Sequence, residues 1–373
     1  MIRLSKSIVG QEESNAVSRI LLEDGYLGMG SEVEKFENEI SSYLKVPPNN
    51  VVCVNSGTSA LHIAVEALVE KGDEVLVPSL TYISSYQAIS AAGAVPVSCD
   101  ICEDTFSINL EDAQKRLSSK TKAIMVVHYA SNPANITRIY EFAKINKLRV
   151  IEDAAHAFGC DYKGRKIGGF GDVICFSFDG IKNITSGEGG AIVTSDNNVL
   201  EIVKDKRLLS IEKDSDKRYS GQRSWDFDVK MQGYRYHMSN IFAAIGRVQL
   251  KRLDIEFAPK RIELFNKYKE LLSNNSKVLF QKLEEDCHII PHICSIRILD
   301  SKRDKLKQLL EENSIPTGLH YKPNHLLSFY KTDYNLPITE KLYSEIITLP
   351  LHPELEISDV EYICKIINNY LNK

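Results

Sequence analysis

Between residues 50 and 195, short apolar runs rich in β-branched residues alternate with stretches of helical periodicity, and no other feature of the chain restricts its fold as tightly. Val51–Val54, Val75–Val77, Val95–Cys99, Ala123–His128, Arg149–Glu152, Val173–Phe178 and Ala191–Thr194 read as strands. Ser59–Glu70, Tyr82–Ala92 and Ile136–Asn146 read as helices; in the first, Leu61, Ala64, Val65 and Leu68 share a face. Several strands are apolar on both sides, the pattern of a mostly parallel sheet covered by helices on each face. The expectation is an α/β fold.

Beyond this region the rhythm changes. Glu212–Gln232 mixes charges with the single tryptophan, Trp225, and reads as a long surface excursion. A helical stretch from Ser239 to about Leu272, kinked or broken near Pro259, leads out of a first domain. The remainder reads as a smaller α+β unit with a strand near Ile293–Ile298, a helix near Arg303–Glu312, and a last helix opened by Ser358 and Glu361 in capping-box spacing. The 373 residues suit two domains, placed at 1–250 and 251–373. With 46 Lys+Arg against 50 Asp+Glu, nothing attracts the surface to nucleic acid or anionic membranes. No apolar run nears the ~18 residues of a membrane span, and Met1–Asn15 lacks the apolar core of a secretory signal. Most cysteines lie in strand-like runs, as reduced thiols of a cytoplasmic protein do. Cys99 and Cys102 lack two further ligands for zinc, so no metal is expected.

In open parallel sheets, ligands bind beyond the carboxyl ends of strands. Three such places carry polar residues. Asn55-Ser-Gly-Thr-Ser-Ala60 puts Gly57, Thr58 and Ser59 at a helix start, a seat for phosphate or simply an N-cap. Asp153, in Val150-Ile-Glu-Asp-Ala-Ala-His-Ala157, suits a cationic ring nitrogen or, again, a cap. Lys182 lies in a glycine-rich turn between apolar strands, where desolvation lowers an ammonium pKa and frees a nucleophilic amine. Ser177 offers a second phosphate donor. A phosphate seat, a carboxylate for a ring nitrogen and such a lysine are together the parts that pyridoxal phosphate requires.

With these motifs in order, the sequence resembles the DegT/DnrJ/StrS family of sugar aminotransferases. The resemblance runs from Gly25-Tyr-Leu-Gly-Met-Gly-Ser-Glu-Val-Glu-Lys-Phe-Glu37 to His320-Tyr-Lys-Pro-Asn-His325. Between them lie Asn55-Ser-Gly-Thr-Ser-Ala-Leu-His62, Gly72-Asp-Glu-Val-Leu-Val-Pro-Ser-Leu-Thr-Tyr82, Glu152-Asp-Ala-Ala-His156 and Lys182-Asn-Ile-Thr-Ser-Gly-Glu-Gly-Gly190. It implies a fold-type-I aminotransferase, with a seven-stranded mostly parallel sheet and a small C-terminal domain. It implies that Lys182 carries the cofactor and moves the proton, that Asp153 bonds the pyridine nitrogen, and that Tyr82 stacks on the ring. His156 would stand near the ring hydroxyl, and Thr58, Ser59 and Ser177 would hold the phosphate. Many relatives have Gly-Tyr-Asn-Tyr-Arg-Met where this chain has Gly233-Tyr-Arg-Tyr-His-Met238. Arg235 or His237 would therefore replace the Asn that reaches the neighbouring subunit's phosphate in a homodimer. His128-Tyr-Ala-Ser-Asn132 also lacks a glycine usual in the family.

The implied reaction passes an amino group from L-glutamate to a keto group, at C4, of a nucleotide-linked deoxy sugar, for surface polysaccharide such as O-antigen or a related glycan. His320, Tyr321 and His325 either line the sugar site or form a turn packed on the small domain. Alternatives are a 3-keto substrate, a sugar dehydratase (which replaces the lysine by His), and a non-catalytic regulator on the same fold.

Overall fold

The computed structural model describes residues 2–133, 135–283 and 286–372. Its large sheet holds β1 (Val51–Val54), β2 (Glu74–Pro78), β3 (Val95–Cys99), β4 (Thr121–Val127), β5 (Arg149–Asp153), β6 (Val173–Ser177) and β7 (Gly190–Thr194), in the order β1-β7-β6-β5-β4-β2-β3. Only β7 runs antiparallel to its neighbours. Both faces are covered. One packs Val51, Cys53, Leu76, Ile124, Val150 and Ile174 into a core with Phe36, Ile40 and Phe158; the other packs Val52, Val54, Val75, Val77, Ile151 and Val173 against Ala60, Ile63 and Ala64. The apolar character of both strand faces in the sequence has this cause.

Helix bounds differ from the sequence reading where caps decide. The helix after β1 is Gly57–Glu66, two residues earlier than expected, because Ser56 rather than a later hydroxyl is its N-cap, accepting from the Ser59 N–H at 3.1 Å. The final helix, Ile357–Leu371, is boxed by Glu356 and Asp359, not by Ser358 and Glu361. The long stretch after Ser239 comprises Asn240–Arg252 and Ala258–Leu272, joined by a wide π-turn over Leu253–Phe257. The break therefore precedes Pro259, which sits in the first turn of the second helix, where its missing N–H leaves no bond unmade. The large-domain core continues through Leu253, Phe257 and Ala258, and a separate core begins at Leu264. That core joins the Ala258–Leu272 and Ile357–Leu371 helices to a sheet of β8 (Val278–Phe280), β9 (Cys294–Ile298) and β10 (Ile346–Leu349).

The excursion after Glu212 contains a short helix, Asp214–Tyr219, and leaves Trp225 87% exposed. It is fastened from below by Arg207, which is fully buried. Arg207 donates to Glu37 Oε1 at 2.6 Å, to the Cys53 carbonyl at 2.8 Å and to Tyr219 Oη at 2.6 Å, while Tyr219 donates to Glu37 Oε2 at 2.5 Å. His128-Tyr-Ala-Ser-Asn132 explains why glycine is usual there: Ala130 and Ser131 adopt φ of +50° and +72°, strained for side-chain-bearing residues.

Candidate active site

The carboxyl ends of β1, β4, β5 and β6 open on one cavity of about 380 Å³, the size range of small-molecule sites. The Ser56–Thr58 helix start lines one side, with Ser177 at the end of β6 beside it. The fit is tight. A Cβ on Gly57 would lie 2.7 Å from the Ser177 Cβ, and one on Gly190 would lie 2.5 Å from the Ser56 carbonyl oxygen. Glycine at both places lets the helix start come down onto the sheet edge, the arrangement that binds anions through N–H groups and helix dipole.

Asp153 ends β5 on the cavity wall and is buried. Its Oδ2 accepts from Ser85 Oγ at 2.7 Å, Ser85 is itself 2.8 Å from Thr81 Oγ1, and Oδ1 accepts from the Ala155 N–H at 3.3 Å. Burial still pushes its carboxyl above the ordinary range, against the pull of Ser85, Ala155 and nearby Lys182. Lys182 lies across this cavity in the turn after β6. Desolvation lowers its ammonium pKa, opposed by Asp153 and Asp179. Among the described residues no group hydrogen-bonds its Nζ.

Tyr82 caps the Ile83–Ala91 helix at the mouth, 55% exposed, its ring 5.5 Å from that of Tyr321. His320 and Tyr321 come from the small-domain side; Tyr129 donates its hydroxyl to the His320 carbonyl, and His320 Nδ1 pairs with Thr348 Oγ1 at 2.9 Å. Burial, with Lys182 nearby, pushes His320 down to about 4 and holds His156 well below the usual range, so both imidazoles are neutral. His156 Nε2 meets Tyr321 Oη at 3.0 Å, while its buried Nδ1 has no partner among the described residues. An unpartnered Nδ1, an unbonded amine, a buried carboxylate without a bonded cation and a two-glycine cradle together fit a phosphorylated, cationic aromatic aldehyde.

The sequence model of the DegT/DnrJ/EryC1/StrS aminotransferase family matches residues 8–368. The chain belongs to that family. GDP-perosamine synthase of Escherichia coli O157:H7 is 37% identical over 98% of this chain and 96% of its own. The dTDP-4-dehydro-2,3,6-trideoxy-D-glucose 4-aminotransferase of Saccharopolyspora spinosa is 33% identical over 97% and 95%. The aminotransferase TlmJ of Streptoalloteichus hindustanus has a solved structure that superposes with a TM-score of 0.92, at 30% identity, over 100% of this chain and 99% of its own. This family member is thus a pyridoxal-phosphate-dependent aminotransferase.

The cavity brings together Lys182, Asp153, His156, Tyr82, Gly57, Thr58, Ser177, His320 and Tyr321. Four expected residues lie outside it. The Ser59 hydroxyl is spent on Asn55 Oδ1 at 2.6 Å and on Ser56, so it completes the cap instead of facing the ligand space. His325 is buried between Ser79 Oγ at 2.7 Å and Glu340 at 3.3 Å, the packed-turn alternative. Arg235 and His237 sit beyond the β1 edge, where the 237 backbone bridges Val54 and the Tyr236 carbonyl accepts from the Asn55 N–H at 2.6 Å. The sequence reading missed Ser56, Ser85 and His128. Ser85 had one legible signal: it lies three residues past Tyr82, on the same side of a helix that begins there.

Proposed function

We propose that this aminotransferase transfers the amino group of L-glutamate to the C4 keto group of a nucleotide-linked deoxy sugar, as a cytoplasmic homodimer, in amino-sugar biosynthesis. The observation that carries the reading is the enclosure of Lys182 and Asp153 in one cavity with the Gly57 cradle. The sugar and the C4 position are supported by the dehydro-sugar 4-aminotransferase relative from S. spinosa; reduced thiols at all eight cysteines suit the cytoplasm.

When bound, pyridoxal phosphate supplies an aldehyde for amines and a cationic ring that withdraws electrons from the attached carbon. Asp153 would hold the ring nitrogen, whose positive charge offsets the burial that now raises its carboxyl pKa. The N–H groups and hydroxyls of Gly57, Thr58 and Ser177 would hold the phosphate, Tyr82 would cover a ring face, and His156 Nδ1 would meet the ring oxygen. Lys182 Nζ, its ammonium destabilised by desolvation, accepts and returns the proton within the cavity. Arg235 is exposed, whereas His237 is pushed down to about 4 by burial and by Arg235 beside it. Arg235 is therefore the cation available to a neighbouring subunit's phosphate.

Incubation with glutamate and a panel of dTDP-, UDP- and GDP-linked 4-keto and 3-keto sugars, followed by mass spectrometry, tests the substrate. Conversion of a 4-keto sugar to its amine with release of 2-oxoglutarate is expected; turnover of 3-keto sugars alone overturns the C4 assignment. Gly57→Ala should raise the Kd for pyridoxal phosphate at least about tenfold, since the new methyl must displace Ser177 or the helix start; in free-energy terms that is about 1.4 kcal/mol. Fluorescence titration of cofactor-free protein measures it.

A further inference from the structure

The structure assigns Ser131 as a positioning residue for His156: one buried hydroxyl joins the main chain of that histidine to the segment Ile290–His292, which leads into the small domain. This rests on the reading above, in which His156 meets the ring oxygen of the cofactor.

Ser131 follows β4 and is wholly buried at φ +72°, directly after Ala130 at +50°. A left-handed φ is costly for a residue with a Cβ and free for glycine. A side-chain-bearing residue persists there where its surroundings hold it, and what glycine lacks is the hydroxyl. That hydroxyl has two partners. Its Oγ donates to the His156 carbonyl at 2.5 Å and accepts from the His292 N–H at 3.0 Å. Donor and acceptor are both used, so the group is satisfied although fully buried. His156 itself lines the cavity, with Nε2 at 3.0 Å from Tyr321 Oη and Nδ1 without a partner among the described residues. Its ring packs on that of His292, the centroids 4.4 Å apart and the planes inclined by 45°. Ser131 therefore fixes the main chain that carries the His156 ring and also the main chain of the ring packed against it.

The other end of the bridge is itself pinned. The Ile290 N–H donates to Cys160 Sγ at 3.2 Å, and the Ile290 carbonyl accepts at 3.1 Å from Nδ2 of Asn183, the residue after Lys182. The Pro291 and His292 carbonyls accept from the buried Arg261 guanidinium at 3.3 and 3.2 Å. Side chains of the large domain and one from the Ala258–Leu272 helix thus satisfy the backbone of this segment and hold it in place. The Ser131 hydroxyl carries that fixity to His156, as outer partners do for side chains that ligate.

The test titrates cofactor-free protein with pyridoxal phosphate by fluorescence and records the absorption bands of the loaded protein at fixed pH. Ser131→Gly removes the hydroxyl and accepts the positive φ, so it should fold. It should weaken cofactor binding about tenfold, the low end for losing a group that orients a ligating side chain. It should also change the ratio of the cofactor's near-ultraviolet and visible bands. In a His156→Phe protein, itself weakened, the same substitution should change Kd by less than about twofold, because nothing is left for the hydroxyl to position. Equal weakening by Ser131→Gly with His156 present or absent shows a general structural role and overturns the proposal. So does a folded Ser131→Gly protein with the wild-type Kd and bands. A His156→Phe protein that keeps the wild-type Kd and bands overturns the reading of His156, and the Ser131 assignment with it. If Ser131→Gly does not fold, Ser131→Ala, which removes the same hydroxyl and keeps the Cβ, decides by the same cycle.

Discussion

Lys182→Ala should lose transamination, about ten-thousandfold in kcat. The upper end of what a positioned proton carrier contributes sets that scale, and among the described residues no other lysine lines the cavity. Because Nζ makes no hydrogen bond to a described residue, its removal breaks none, and the variant should melt within a degree or two of the wild type. Lys182→Arg should be as inactive, since a guanidinium keeps its proton and serves neither as nucleophile nor as base. Single-turnover assays with glutamate, together with the loss of the yellow colour and of borohydride labelling at this peptide, check the expectation. Labelling of another lysine would sink it.

Arg207→Met should destabilise the protein by about 3–5 kcal/mol, because it leaves Glu37 buried beside Cys53 without its cation. Replacing both partners, as Glu37→Gln with Arg207→Met, should recover part of that loss, since no lone charge is then stranded. Urea denaturation followed by circular dichroism measures the difference. The variant should also loosen the excursion, because Arg207 is what ties Tyr219 and Ser215 to the edge of β1. Faster proteolysis near Trp225 than in the wild type would report that loosening.

Much of the site was legible because its chemistry is concentrated in short segments that follow strands. The places of Asp153 and Lys182 were readable from apolar runs ending in a polar residue, and Gly57 from a glycine between strand and helix. Ser59 was misplaced for a local reason: in Ser56-Gly-Thr-Ser59 either terminal serine can cap, and the choice depends on where the first turn begins. His325 shares a six-residue motif with His320 and Tyr321, yet a turn at Asn324–Leu326 swings it onto Ser79 and Glu340. Spacing along a chain carries no record of such a swing.

The sequence by itself determined the α/β class, the family and the residue types the cofactor needs, because each is written in periodicities and motifs a few residues long. Tertiary structure alone decided which side chains meet. The convergence of Asp153 with Ser85, of His156 with Tyr321, and of Glu152 with both His128 and Tyr140 joins residues from 12 to 165 positions apart. Pairing strands from distant parts of the chain creates those contacts, and the burial that follows shifts the charges of the groups it encloses.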